Sequence, residues 1–379
     1  MLKYPPLLLL FSITLIFLSA CGREAPPKRV LLVSPENGPE QPTQAQLAVS
    51  LAGGWTRIAP GGETTCAHGT EYAFWVRPGA SEDLLVYFQG GGGCWDAETC
   101  APGSTFFDSS VTTRDSPEAR GGIFDFDHPD NPFADYNMVY IPSCTGDVHW
   151  GESVQRFPNG DGSELTVHFN GFANGRAALD WAYQNFPRPA SVFVTGCSAG
   201  SVGSAAHVPY IIERHPGIPV AQLGDSLAFV FHRPLNLTGY GTYNNFPAWI
   251  PGLETLQPAG FTMAGYYSEL ANYYPDYIFS QYNTAADHVQ DRYYQAVGGQ
   301  PGDFPDDLAR SLDEIHTQAP NFFSYVAGGD AHCIMPLDRF YTYAANGVRF
   351  RDWVTDLAAG APVESVRCAD CSVAETVSP

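Results

Sequence analysis

The sequence predicts an α/β fold, a mostly parallel sheet covered by helices on both faces. Three observations lead there. Short apolar runs rich in β-branched and aromatic residues alternate with helical stretches, the rhythm of strand-helix-strand units. The 379 residues are 44% hydrophobic, enough to bury a large core. No internal repeat is visible.

Strands are expected at Leu84–Phe88, Met138–Pro142, Ser191–Thr195, Pro219–Leu223, Tyr277–Tyr282 and Phe322–Ala327. Helices are expected over Phe172–Phe186 and Ser198–Arg214. In a sheet of this kind the site residues belong at the C-terminal ends of the strands. Residues 51–379 read as one domain.

The start of the chain has a different character. Lys3 precedes the apolar run Leu7–Leu18, which is too short to span a bilayer and matches an export signal. Leu18-Ser19-Ala20-Cys21 resembles a bacterial lipobox, so residues 1–21 are expected to be a signal ending at a lipidated Cys21. Residues 22–50, with their Pro, Glu and Gln, then form a flexible tether. The alternative is ordinary signal cleavage near Ala20, with Cys21 an incidental thiol. The expected product is an exported, membrane-anchored lipoprotein on the periplasmic or cell-surface side.

Cysteine arithmetic agrees with export. Setting Cys21 aside leaves eight cysteines, an even number that suggests disulfides in an oxidising compartment. Cys94 and Cys100 are close enough for a local loop. Cys368 and Cys371, in CADC, lack a second CxxC and a βαβ setting, so a structural bridge is favoured over zinc or redox chemistry. Asp plus Glu total 40 against 19 Lys plus Arg, which argues against nucleic acid and anionic membrane surfaces as partners. Membrane contact is expected only through the N-terminal lipid, and the protein is expected to be a monomer.

"VFVTGCSAGSVG", Val192–Gly203, carries the nucleophile candidate. Ser198 follows a strand and opens a helix, the setting of a nucleophile elbow, and Gly196 and Gly200 remove side chains that would clash in so tight a turn. Ala199 and Ser201 keep its neighbours small. The helix N-terminus brings N–H groups and partial positive charge to a developing oxyanion. Gly224-Asp225-Ser226-Leu227 spells GDSL, the signature of another esterase class, and Asp313 and His316 supply an Asp-x-x-His. That pair lies in a helix-like run and the GDSL lies mid-chain, so the tetrapeptide reads as a strand-end turn.

A nucleophilic serine needs a histidine base and an orienting carboxylate, in the chain order Ser, acid, His for sheets of this kind. Of the histidines after Ser198, His207 and His215 belong to the following helix, and His316 reads as a surface residue of its own helix. His232 and His288 are the other histidines after Ser198. His332 follows a strand and a double-glycine turn in "NFFSYVAGGDAHCIM" and is the base candidate. Asp287, after the strand Tyr277–Tyr282, is the first candidate for the acid and Asp225 the second; Asp330 is too near His332 along the chain. Cys197 precedes Ser198 and Cys333 follows His332, so a base within reach of its nucleophile would also bring these thiols within disulfide distance.

"VYFQGGGGCW" places Gly90–Gly93 at the end of a strand, where glycines let backbone N–H groups approach a carbonyl oxygen. No Gly-Lys-Ser/Thr follows, which excludes a P-loop. The expected oxyanion donors are the N–H groups of Gly91 or Gly92 with that of Ala199.

Together "FQGGGGCW", "NPFADYNMVYIPSCTGDVHWG", "HFNGFANGRAALDW", "VFVTGCSAGS" and "AGGDAHCI" resemble the pectin acetylesterase and Notum family of carboxylesterases, from about Cys66 to about Phe340. The resemblance implies an α/β-hydrolase fold and deacylation of an oxygen ester, with Ser198, Asp287 and His332 as the triad. It also implies a Cys66–Cys144 pair. Where relatives read Gly-Gly-Trp or Gly-Gly-Gly-Trp-Cys, this chain reads GGGGCW. No metal or organic cofactor is expected; Asp161 is an isolated turn carboxylate without the oxygen neighbours calcium needs.

The expected substrate is an acetylated glycan or small acyl ester. The alternatives are a lipase or polyester depolymerase, and a non-catalytic glycan-binding protein. Net charge of −21 disfavours a polyanionic glycan such as pectin unless a basic patch exists, to which Arg176, His149 and His168 are possible contributors. One prediction follows from the chain start: cells should incorporate labelled fatty acid into the protein, and Cys21→Ser should prevent it. A lipid-free product beginning at Cys21 or later would refute the anchor.

Overall fold

Leu84, Val86 and Phe88 face one side of strand β3 (Leu84–Phe88), Leu85 and Tyr87 face the other, and all five are buried. A strand apolar on both faces belongs inside a covered sheet. The computed structural model describes residues 54–158, 162–230, 237–256 and 260–377. The signal, Cys21, the whole tether, Asp161 and His232 lie outside them.

The main sheet contains β1 (Thr56–Ile58), β2 (Phe74–Arg77), β3, β4 (Asn137–Ile141), β7 (Val192–Cys197), β8 (Val220–Asp225), β9 (Ile278–Thr284), β10 (Phe322–Ala327) and β13 (Val366–Arg367). Their order is β1-β2-β4-β3-β7-β8-β9-β10-β13, and only β2 runs against the rest. A hairpin of β5 (Ser153–Pro158) and β6 (Glu164–Phe169) stands apart, as does a small sheet of β11 (Tyr343–Ala345), β12 (Val348–Arg349) and β14 (Glu375–Thr376). All six strands expected from the sequence are present, shifted at their ends by at most a few residues. Most of the others are very short or half-exposed; β2 is the exception, a buried run at Phe74–Val76 that is not among the six expected.

Helices cover the two faces unequally. On one lie α1 (Gly171–Asn185), α2 (Ala199–Arg214), α4 (Met263–Tyr273), α5 (His288–Ala296) and α6 (Phe304–Gln318), which share a core with Val86, Val139 and Val194. A one-turn helix, α3 (Leu237–Tyr240), joins the same core. Phe304, Leu308, Leu312 and Ile315 form the apolar stripe of α6. Among the described residues the other face has one α-helix, α7 (Phe350–Ala358), packed with 3-10 turns at Gly122–Phe124 and Asp338–Tyr341 against Leu85, Tyr87 and Phe193. Phe350, Trp353, Val354 and Leu357 are its buried stripe, spaced i, i+3, i+4, i+7.

Register determines where chemistry can gather. Phe88, Gly196, Gly224, Gln281 and Ser324 pair across β3, β7, β8, β9 and β10, so these strands stop along one edge. The segments leaving them carry Gly90–Gly93, Ser198, Asp225, Asp287 and His332. Because Trp353 sits in the buried stripe of the α-helix on the second face, Trp353→Ala should cost about 3–5 kcal/mol of stability. Trp353 is buried against Tyr325 and Phe350, and its Nε1–H donates to the Glu364 carbonyl at 2.8 Å. A lower urea midpoint at unchanged slope is the expected result, and an unshifted midpoint would refute the assignment.

Candidate active site

Strand β7 ends at Cys197, Ser198 adopts φ 55° and ψ −124°, and α2 begins at Ala199. Such a backbone costs on the order of 1–3 kcal/mol and persists only where its surroundings enforce it. Here they do. A Cβ at Gly200 would collide with the Phe88 carbonyl, and one at Gly196 with the carbonyls of Gly200 and Phe88. The Ser198 N–H donates to the Asp225 carbonyl at 2.7 Å, which ties the turn to β8.

His332 follows β10, and its Nδ1 lies 2.8 Å and 3.0 Å from the two carboxylate oxygens of Asp287. Asp287 is fully buried. Its Oδ1 accepts the N–H groups of Val289 and Gln290 at 3.0 Å, so it also caps α5. Its Oδ2 accepts from Gln290 Nε2 at 3.1 Å. The cap leaves the carboxylate one orientation, with an oxygen toward the imidazole.

Asp225, the second acid candidate, meets the backbone just after His332 instead of its ring: Oδ2 accepts the N–H groups of Ile334 and Met335 at 2.9 Å. Burial pushes its carboxyl above the usual range, against those hydrogen bonds. Ser226 of the GDSL turn is buried and donates to Asp225 Oδ1 at 2.8 Å, while His316 on α6 contacts Ser324 at 2.9 Å. The two halves of that signature therefore have separate partners. Asp330 uses its backbone carbonyl, toward His288 Nδ1 at 2.7 Å.

His207, His215 and His149 are buried parts of the scaffold. His207 stacks between Phe88 and Phe172, and burial lowers its pKa to about 3. His215 is buried and lowered to about 4. His316 is half-buried, so it is not the surface residue expected from its polar surroundings. His149 corrects another expectation. Burial lowers its pKa to about 4, so it is neutral and adds nothing to a basic patch. Its Nε2 instead meets the Gln89 carbonyl at 2.8 Å, at the root of the glycine run. Arg176 lies over the Tyr210 ring. Asp147 accepts the Gly171 N–H at 2.8 Å, and "TGDVHWG" meets the glycine loop through the Gly93–Asp147 bridge and the Cys94 N–H, which donates to the Gly146 carbonyl at 2.9 Å.

Four disulfides join Cys66–Cys144, Cys94–Cys100, Cys197–Cys333 and Cys368–Cys371. Cys197–Cys333 spans from the residue before Ser198 to the residue after His332, with 5.6 Å between Cα atoms. Cys197, His332 and Cys333 bring three possible metal ligands together, but the disulfide consumes both thiolates.

Ser198 and His332 line one cavity of about 360 Å³ together with Gly90, Gly91 and Gly92. A Cβ at Gly91 would meet the Ser143 side chain, and Gly92 (φ 69°) has no room beside the Phe106 carbonyl. Among the described residues the N–H groups of Gly91, Gly92 and Ala199 find no protein acceptor. Gln89, Asp108, Arg120 and Tyr293 complete the polar wall. Burial raises the Asp108 carboxyl above its usual range. The sequence reading did not find Asp108, Arg120 or Tyr293, which lie in irregular stretches or on a polar helix with no local signature.

Peptide mapping under non-reducing conditions should recover the Cys197 and Cys333 peptides as one linked species. Both thiols found alkylated would separate the serine turn from the histidine loop.

A family model described as pectinacetylesterase matches residues 57–284. Over 157 residues the chain is 29% identical to palmitoleoyl-protein carboxylesterase NOTUM of Schmidtea mediterranea, covering 39% of this chain and 28% of that protein. Over 145 residues it is 28% identical to pectin acetylesterase 4 of Arabidopsis thaliana, covering 36% of this chain and 33% of that protein. The matched stretches thus span about a third or less of these relatives. The solved structure of the Wnt deacylase Notum from Drosophila is similar in fold, with a TM-score of 0.59 and 17% identity over 84% of this chain and 97% of that one. The fold is a Notum-like α/β-hydrolase fold, and the chain belongs to the pectinacetylesterase family.

Proposed function

We propose that the protein is a serine carboxylesterase that removes short acyl groups, acetyl above all, from oxygen esters on a glycan or small alcohol. The observation that carries this reading is the His332–Asp287 hydrogen bond opening onto the cavity that Ser198 shares with the glycine loop. In the proposed reaction Ser198 Oγ attacks the ester carbonyl while His332 takes its proton through Nε2. Asp287 holds the opposite nitrogen and stabilises the imidazolium. The N–H groups of Ala199 and of Gly91 or Gly92 receive the oxyanion. The protonated His332 releases the alcohol, and water then frees the acid by the same steps.

The preference for short acyl groups rests on the cavity. Gln89, Asp108 and Arg120 line it beside Phe106, Phe107 and Val289, and in a cavity of about 360 Å³ a long hydrocarbon would have to press on the charged groups and strip their water without replacing it. This argues against a lipase and against a long acyl chain of the kind named for the Schmidtea relative. The four disulfides suit an exported protein. We place it at the cell envelope as a lipid-anchored monomer, on the lipobox-like sequence ending at Cys21.

One screen tests the reading. Ser198→Ala should abolish turnover of an aryl acetate without loss of fold, and Asp287→Asn should lower kcat on the order of 10⁴-fold. Rates should fall as the acyl chain lengthens; a maximum at long chains would support the lipase reading, and no turnover of any ester the binding-protein reading. Neutral acetylated glycans should outrun acetylated pectin at low salt, because like charges repel over a Debye length of roughly 10 Å at 0.1 M.

A further inference from the structure

We propose that Asp225 and Ser226 are positioning residues for the base: a buried polar clamp at the end of β8 that sets the direction of the His332 imidazole. The proposal rests on the triad reading above. Three consecutive backbone N–H groups follow His332, and the clamp receives all of them. Ser226 Oγ accepts from Cys333 at 3.0 Å, and Asp225 Oδ2 accepts from Ile334 and Met335 at 2.9 Å. The Ser226 hydroxyl has one proton, and that proton goes to Asp225 Oδ1 at 2.8 Å. Donors and acceptors match with none left over.

Burial makes the arrangement demanding. Asp225 and Ser226 are fully inaccessible to solvent, and among the described residues no Lys or Arg pairs with the Asp225 carboxylate. A buried carboxylate without a cation is tolerable only while its hydrogen bonds are intact, so the loop and the clamp hold each other in place. Ser226 (φ 60°) and Cys333 (φ 60°) both occupy the left-handed region, the kind of strained backbone that only a well-bound segment maintains.

The disulfide does not make the clamp redundant. A Cys197–Cys333 bond limits how far the loop can move from the serine turn, but rotation about its single bonds still lets the backbone at residue 333 tilt. Hydrogen bonds to three successive N–H groups fix that tilt, and with it the line from His332 Cα to the ring. Asp287 then meets an imidazole already near its place. An error of about 1 Å in such a group can cost on the order of 100-fold in rate.

The test compares Asp225→Asn, nearly isosteric but with one oxygen replaced by an NH2 that cannot accept, with Ser226→Ala. kcat and KM for an aryl acetate and the rate of phosphonylation of Ser198 are measured below the melting temperature, with the disulfide intact. The expected result for Asp225→Asn is a fall on the order of 100-fold in kcat and phosphonylation together, with KM within about twofold. Ser226→Ala should lose about tenfold in both. If both folded variants keep kcat within about threefold of wild type, or if KM carries the loss, the clamp is structural only and the proposal fails. If Asp225→Asn does not fold, Ser226→Ala decides alone. Ser198→Ala in the same assay separates the two ideas, since turnover there would refute the triad reading and not merely the clamp.

Discussion

The turn at Ser198 can form only where no side chain stands at Gly196 or Gly200, and much of the molecule is arranged around that vacancy. Phe88 at the end of β3 presses its carbonyl against both glycines, which draws β3, β7 and the start of α2 into contact. The helix must then begin at Ala199, and its small residues Gly200, Ser201, Gly203, Ser204 and Ala205 let it lie close over the sheet. A larger residue at these positions would lift α2 and turn its N-terminus away from the cavity. The positive φ at Ser198 is thus a consequence of close packing, and it leaves the hydroxyl standing clear of the sheet.

Around this point the polar groups are held by burial and by fully used hydrogen bonds more than by ion pairs. Asp287 divides its oxygens among the N–H groups of α5, Gln290 and His332, and Asp225 spends its own on the loop behind the histidine. Both are buried, so either would be costly with a missing partner. The neutral histidines His149 and His207 continue the same logic into the core, where His149 secures the Gln89 carbonyl and His207 packs between aromatic rings. Asp108 and Arg120 face one cavity, giving it a local polarity of mixed sign.

The segments that close the site are tied at several independent places. Cys197–Cys333 links the serine turn to the histidine loop, Cys94–Cys100 braces the glycine loop, and Cys66–Cys144 holds the segment after β4. Cys368–Cys371 lies beside the Gly328–Gly329 turn, whose Gly329 N–H donates to the Cys371 carbonyl at 3.1 Å. Long irregular connections such as 89–136 have few backbone ladders of their own, so covalent ties and side-chain caps supply the order that secondary structure does not.

Much of this was legible in the residues because it is local. Six strands appeared as compact apolar runs, Ser198 was marked by glycines on either side, and His332 by the strand and double glycine before it. The pairing of Cys197 with Cys333 could be inferred because each cysteine neighbours a residue singled out on other grounds. What the sequence could not decide was which carboxylate turns toward the imidazole. Asp225 and Asp287 both end or follow a strand, and only the backbone hydrogen bonds that join the start of α5 to the turn after β10, from Ala286 to Gly329 and from His288 to Asp330, bring the ring to Asp287 and leave Asp225 the backbone. The same holds for Asp108 and Arg120, which meet the cavity through a connection without periodicity, and for His149, whose neutrality comes from burial alone. Local sequence specifies which atoms can react. Long-range packing specifies which of them are brought within a hydrogen bond of one another, because that depends on register and burial contributed by segments far apart in the chain.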